Sequence, residues 1–182
     1  MSETKQSPSR PRKKELTLGY VKKQLKKIDN LSEYIIDKEE NIVLKYYEVF
    51  DDMKIRELLT ELQNHTSYDK ENNLHYFQDD ETLIQYLRYL IFKYFTKIHE
   101  KVGNSFEENK EVFEYFDRLG YVWLFNEKIF NPDELAKVYE RFYSLIEIGT
   151  KALELDDETL QKLSNVQFAN KLIKKDKIIP EA

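Results

Sequence analysis

The chain has 182 residues, 41% of them apolar and 35% charged, which suits one domain with a heavily solvated surface. It contains no cysteine, which excludes disulfides, thiolate catalysis and cysteine-bound metal centres and fits a reducing cytoplasm. The net charge of −5 argues against nucleic-acid binding by the whole body. Residues 1–14, however, hold five basic residues against Glu3, a charge of +4 that leaves −9 for the remainder.

The first 14 residues predict a disordered basic tail, because they are polar and offer nothing to bury. They contain no apolar stretch that would indicate a secretory signal. The most apolar run, 83–98, is interrupted by Arg88, Lys93 and Lys97, whereas a transmembrane helix needs roughly 20 mostly apolar residues. We therefore expect a cytoplasmic protein without a membrane span.

A short amphipathic helix over 17–28 and a β-hairpin over 32–50 are predicted near the N-terminus. The helix follows from apolar residues at three- and four-residue steps: Leu18, Val21, Leu25 and Ile28. The hairpin follows from two segments rich in β-branched and aromatic residues, 33–36 and 42–50, with a polar turn between them. Polar alternation is poor in the second segment, which could pack on both faces.

The rest of the chain predicts helices, each with a recognisable start signal. Asp51 or Asp52 caps the first, Ser105 opens a capping box with Glu108, and Pro132 occupies the first position of a later helix. The predicted helices span 53–63, 81–101, 106–119, 132–154 and 156–164. A polar loop is expected over 64–78, and one or two aromatic helical turns over 121–130.

The predicted fold is therefore mainly α (α+β), a helical domain of about six helices with a small N-terminal β-hairpin. We expect a single domain over 15–164, preceded by the basic tail and followed by a frayed C-terminal tail over 165–182.

No motif for catalysis, a cofactor or a metal is present in the sequence. Residues 69–80 place oxygen ligands as in an EF-hand loop, but Leu74 stands where the sharp turn requires Gly, which favours a solvated loop. His65, His75 and His99 form no metal-binding pair and are expected to be core or surface residues. Glycines are isolated, so no phosphate loop is predicted. We expect no catalytic, cofactor or metal residues.

The 25 aromatic residues have two interpretations. Most are expected to build the core, and others to contact a partner, because aromatic rings are enriched at protein interfaces. The candidate protein-contact residues are Trp123, Phe125, Tyr121, Tyr86 and Tyr89. Trp123 and Phe125 are expected to be partly exposed.

Three segments resemble the tail assembly chaperones of phages that infect Gram-positive bacteria. The first is a strand that ends in Phe50, followed by an acidic step and Lys54-Ile-Arg-Glu-Leu-Leu-Thr-Glu-Leu62. The second, 86–96, is similar to the central helix of that family, and the third, 113–138, is similar to its later helix pair. The resemblance covers roughly 15–155 and consists of packing patterns.

The resemblance implies a non-enzymatic protein of the host cytoplasm that needs no cofactor. Its partners would be the tape measure protein, which it keeps soluble, and the tail-tube protein, whose polymerisation it helps. Nucleic-acid binding is not expected in this case. The alternative is a small regulatory or anti-defence protein of phage or mobile-element origin that binds a host protein or nucleic acid through the basic tail.

Overall fold

A computed structural model describes residues 15–154 of the chain. Its elements in chain order are α1 (Leu18–Ile28), β1 (Leu31–Asp37), β2 (Ile42–Tyr47), α2 (Asp52–Glu71), α3 (Asp80–Tyr94), α4 (Phe106–Arg118), α5 (Tyr121–Leu124) and α6 (Pro132–Glu154). A 3₁₀ helix (Lys97–Glu100) follows α3, and a π-helical turn (Phe125–Ile129) follows α5. The predicted mainly helical fold with a small N-terminal hairpin is confirmed.

Three predictions fall wholly or partly outside the described residues. These are the basic tail over 1–14, the helix over 156–164 and the C-terminal tail over 165–182. The single domain over 15–164 extends past residue 154 and stays a prediction. None of the helices in the described range is long and apolar enough to cross a lipid bilayer.

The two strands form an antiparallel hairpin with a β-bulge between Ile35 and Asp37 on β1. The turn contains no glycine. Instead the Asp37 carboxylate accepts hydrogen bonds from the Glu39 and Glu40 amides, and Asn41 adopts a φ of +54°. Asp and Asn suit these roles because their short side chains bond to nearby backbone and tolerate the left-handed region.

The hairpin is joined to the end of α3 by backbone contacts. The Tyr47 amide donates to the Phe95 carbonyl oxygen at 2.9 Å, and Tyr46 forms an isolated bridge with Thr96. Phe50, just after β2, stacks on Phe95 with ring centroids 3.6 Å apart and planes only 4° from parallel. The hairpin therefore packs on the body through both backbone and rings.

Helix α3 is the centre of the core, because side chains on nearly all of its sides are buried. Its fully buried side chains include Tyr86, Leu87, Tyr89, Leu90, Ile91 and Phe92. Contacts reach α3 from α2, α4, α5 and the π-helical turn. A helix that is apolar almost all round is stable in water only when other elements surround it.

The predicted end of α2 at residue 63 is wrong, since the helix continues to Glu71. The polar residues His65, Thr66 and Asp69 suggested a loop, yet all three are buried. The Asp69 carboxylate accepts hydrogen bonds from the Tyr76 amide at 2.7 Å and the Phe77 amide at 3.4 Å. These bonds stabilise a buried carboxylate that local polarity alone would place in solvent.

The predicted end of α3 at residue 101 is also wrong, since the helix stops at Tyr94. Thr96 has extended backbone and its hydroxyl accepts a hydrogen bond from the Ile98 amide, which begins the separate 3₁₀ helix. The contact between the hairpin and Phe95–Thr96 fixes this break. Tertiary contacts have overridden the local helical pattern.

Four helices are capped by a side chain. Thr17, Asp51, Asp79 and Ser105 each accept a hydrogen bond from a first-turn amide of the helix that follows, as predicted for Asp51 and Ser105. Gly120 has a φ of +73° after α4, in the left-handed region that glycine adopts at low cost.

The Phe50–Phe95 stack provides a test of the core. Phe95→Ala is expected to lower the free energy of unfolding by about 3–5 kcal/mol, because it removes a fully buried ring and leaves a cavity. Urea unfolding followed by circular dichroism measures this loss. Leu25→Ala, at an exposed position of α1, is the control and should change stability by less than about 0.5 kcal/mol. Equal effects would contradict this description of the core.

Candidate partner-binding surface

Helix α1 exposes its apolar stripe, and no residue of this helix is buried. Leu18 is 70% exposed, Leu25 is 52% exposed, and Val21 is also exposed. Within the stripe only Ile28, at the C-terminal end, is half-buried, and Gln24 on the neighbouring side of the helix is half-buried as well. The four stripe residues, Leu18, Val21, Leu25 and Ile28, are called the α1 seam below. Within the described chain, the α1 seam covers no part of the core and is free to contact a partner.

The same helix is strongly basic. Lys22, Lys23, Lys26 and Lys27 are all exposed, and α1 contains no acidic residue. Among the ion pairs of the described residues, none involves these four lysines. The α1 surface therefore combines an uncovered apolar seam with uncompensated positive charge.

The hairpin adds a second exposed apolar face. Ile35 on β1 lies opposite Val43 on β2, and both are exposed. The other face carries Tyr34 and Tyr46, whose ring edges contact the Phe125 ring at centroid distances of 5.6 and 5.8 Å. Along β2, Val43 is exposed and Leu44 packs against the core, whereas at the end of the strand the neighbouring residues Tyr46 and Tyr47 both pack against it.

The structure divides the five predicted contact residues. Trp123 is 53% exposed, as expected, and the Lys128 ammonium lies 5.5 Å from the centroid of its ring. Tyr121 is half-buried beside Phe116. The contact role of Trp123 and Tyr121 stays a prediction.

The expected exposure of Phe125 is wrong, because this side chain is fully buried. The π-helical turn directs its ring inward, where it contacts the rings of Phe92 and Phe130 at 5.2 and 5.4 Å. Tyr86 and Tyr89 are also fully buried, since they project from the central helix α3. These three residues belong to the core and are removed from the candidate surface.

A buried ion pair lies at the centre of the body, and no sequence pattern predicts it. Lys93 of α3 is completely buried, and its ammonium donates to Glu61 Oε1 at 2.7 Å, the Gly103 carbonyl at 2.8 Å and Asn109 Oδ1 at 2.9 Å. Burial lowers the pKa of Lys93, and the adjacent Glu61 carboxylate opposes that shift. Because all these neighbours are acceptors, the geometry favours the charged ammonium.

The partners of Lys93 are themselves fully hydrogen-bonded. Glu61 Oε2 accepts from the Tyr94 hydroxyl at 2.7 Å, and Asn109 Oδ1 also accepts from the Tyr89 hydroxyl at 3.0 Å. The Asn109 amide donates to the Gly103 and Ser105 carbonyls. The network therefore links α2, α3 and α4 through groups whose hydrogen-bonding capacity is met.

His65 extends the network on the α2 side. Its Nε2 lies 2.9 Å from the Asn104 carbonyl oxygen, and its Nδ1 lies 2.9 Å from the Tyr86 hydroxyl. Because a carbonyl only accepts, Nε2 carries the proton and Nδ1 accepts from Tyr86. Burial is the main cause of the lowered pKa of His65, which favours this neutral form.

A cleft of about 440 Å³ opens beside the network, bounded by Glu61, Tyr94 and His99. Both oxygens of Glu61 already accept hydrogen bonds, from Lys93 and Tyr94. The Tyr94 hydroxyl is committed to Glu61, and burial raises its pKa, so it is not an activated group. Within 15–154, no cluster of three or more His, Asp and Glu side chains is arranged to hold a metal ion.

The fold and surface define a small helical protein with an aromatic core and a basic amphipathic helix uncovered at its N-terminus. The chain belongs to the YomO family, whose model matches residues 18–178. The name of this family is of the kind given to Bacillus prophage proteins, which supports a phage origin and carries no information on a chaperone role. No curated protein and no solved structure is significantly similar to the chain.

Because Lys93 forms a buried ion pair, we expect the stability of the fold to depend strongly on its side chain. Lys93→Met leaves the buried Glu61 carboxylate without its cation and should cost about 3–5 kcal/mol in free energy of unfolding. Lys45→Met, which breaks the exposed pair with Glu33, is the matched control and should cost less than about 1 kcal/mol. Chemical denaturation measures the free energy of unfolding of both variants. Similar losses in the two would show that the buried pair stabilises the fold no more than the exposed pair does.

We expect the folded protein to lose stability in acid because of His65. Its folded pKa lies below the ordinary value of 6.5, so the unfolded chain binds the proton more readily. The stabilisation is fully present above pH 6.5 and falls as the pH drops below it, by up to about 1.4 kcal/mol per pH unit for one proton. His65→Gln should reduce the dependence below about pH 6.5 and leave the part that His99 contributes, because burial lowers the pKa of His99 as well. His75→Gln, at an exposed loop position, is the matched control. Thermal melts across this pH range measure the effect. If stability falls with pH as steeply in His65→Gln as in the wild type, His65 is not responsible.

Proposed function

We propose that this protein is a phage tail assembly chaperone that acts in the host cytoplasm without catalysing a reaction. It binds the tape measure protein, keeps that long helical rod soluble and helps tail-tube subunits polymerise around it. The observation that carries the proposal is the α1 seam, an exposed apolar stripe on a helix with no buried residue. The sequence resemblance and the phage-associated family are consistent with this role.

The short length of α1 favours the interpretation that it binds a partner. It has 11 residues, and isolated helices shorter than about 12–15 residues are marginal in water. Its Thr17 cap and its C-terminal lysines add only modest stability. Since packing supplies most helical stability in proteins, the helix is expected to gain its stability from a second apolar surface.

A small seam suits reversible binding. Burying one Leu or Val side chain contributes about 1.5–3 kcal/mol, so each copy of the protein would bind weakly. Many copies along one long rod could together cover its apolar surface, and tail-tube subunits could still displace them one at a time. The second apolar face, on the hairpin, provides further area for such contacts.

The proposal is tested by co-expressing the protein with the tape measure protein of the same phage. The wild type should keep the rod in the soluble fraction and co-purify with it. Leu18→Asp/Leu25→Asp should abolish both effects, because two carboxylates in the seam cannot be buried without partners.

The matched control is Tyr115→Asp/Leu119→Asp, which changes two exposed apolar residues on a different surface. It should behave like the wild type, and thermal melts should show that both double variants remain folded. A rod that precipitates equally with and without the wild-type protein would end the chaperone proposal.

The second candidate is a regulatory or anti-defence protein that binds a host protein or nucleic acid through its basic N-terminus. Charge favours it: residues 1–28 contain nine basic and two acidic residues, a charge of +7 that leaves −12 for the rest. Binding to duplex DNA that weakens steeply with salt and is lost on deletion of residues 1–14 would support this candidate.

A further inference from the structure

We infer that the α1 seam docks a single partner helix whose own apolar seam is bordered by Asp and Glu. This inference rests on the proposed function and specifies the chemistry of the helix that the protein recognises. Two properties of α1 support it: the width of the seam and the charge beside it.

The seam has the spacing of a helix–helix contact. Leu18, Val21, Leu25 and Ile28 are separated by three, four and three residues. At 100° per residue they cover an arc of about 80°, narrower than the apolar face of a helix that packs on a globular core. Such a narrow stripe matches the a and d positions of a coiled coil. A helix that lies in a lipid surface usually presents a broader apolar face.

The charge beside the seam selects the partner. At 100° per residue, Lys22 lies about 40° and Lys26 about 80° beyond the Leu18 edge of the seam. Lys22 therefore takes a flanking position of a paired helix, and Lys26 lies on the same side just outside it. Neither lysine has a carboxylate within ion-pair distance among the described residues. By contrast, the ammonium of Lys45 lies 3.1 Å from Glu33, and that of Lys137 lies 2.6 Å from Glu134.

Positive charge also argues against pairing of α1 with the same helix of a second copy. Such a pair would place lysines opposite lysines, and like charges across a helical interface are unfavourable. A partner helix with acidic flanks would cover the apolar seam and form ion pairs with the lysines at the same time. The excess of positive charge over residues 1–28 should also speed the encounter with it.

The test uses the full-length protein and a fluorescent peptide of three heptads with Leu at a and d and Glu at e and g. The peptide should bind with an affinity that falls as salt rises. A matched peptide with Lys at e and g should bind roughly tenfold more weakly or worse, since several weak ion pairs become repulsive together.

Two charge variants assign the effect to α1. Lys22→Glu/Lys26→Glu should reverse the preference, so that the Lys-flanked peptide binds better. Lys38→Glu/Lys101→Glu carries the same change in net charge at exposed positions outside α1 and should keep the preference of the wild type. Leu18→Asp/Leu25→Asp should bind neither peptide.

Several outcomes would overturn the inference. These are equal binding of both peptides, a preference that the Lys22→Glu/Lys26→Glu variant leaves unchanged, and a concentration-dependent dimer through α1 without peptide. Binding to anionic phosphatidylserine vesicles or to duplex DNA in place of the acidic peptide would assign the helix to a different partner class. Peptide binding through α1 with no retention of the tape measure protein would reject the proposed function alone. If the Lys22→Glu/Lys26→Glu variant retains the tape measure protein as well as the wild type does, this inference alone is rejected.

Discussion

The buried ammonium of Lys93 is the constraint on which the arrangement of the central helices depends. A charge with no solvent contact is tolerated only when acceptors surround it, and here they come from α2, from the segment before α4 and from α4 itself. Each acceptor is in turn fixed by another group: Tyr94 bonds to Glu61, and Tyr89 to Asn109. The aromatic residues of α3 then fill the space around this network. The polar network therefore links α2, α3 and α4 through specific contacts, and aromatic rings form a large part of the core around it.

Local signals in the sequence were sufficient for most of the fold. The caps at Asp51 and Ser105, Pro132 at the start of α6 and the three- and four-residue apolar steps act over a few neighbours, so they can be read directly from the sequence. The errors concern residues whose environment comes from distant parts of the chain. In the second half of α2, His65 and Asp69 are polar but buried, because they bond to Asn104 and to the loop before α3. Lys93 looked like an interruption of an apolar run, although it is the most enclosed charge in the described body.

The candidate surface was predicted less well than the fold, for a related reason. The amphipathic pattern of residues 17–28 was visible, but periodicity alone cannot tell whether an apolar stripe faces a core or solvent. Large aromatic side chains suggest contact residues, but Phe125, Tyr86 and Tyr89 belong to the core. The informative feature was instead a helix with many lysines, no acid and no core contact. The molecule thus has a body stabilised by its own interior and an N-terminal helix whose apolar side remains available to another chain.

The bulge in β1 has a consequence for how copies of the protein meet one another at high concentration. The inner edge of the hairpin, on β2, is occupied by Phe95 and Thr96, whereas β1 is the outer strand of the sheet in the described residues. A regular outer strand with Ile35 exposed would be a template for strand addition and for fibril-like stacking between copies. The irregularity between Ile35 and Asp37 interrupts the row of amides and carbonyls and twists the edge. A protein that exposes apolar side chains on α1 and on the hairpin therefore also has, at its outer strand, a feature that discourages edge-to-edge polymerisation with itself.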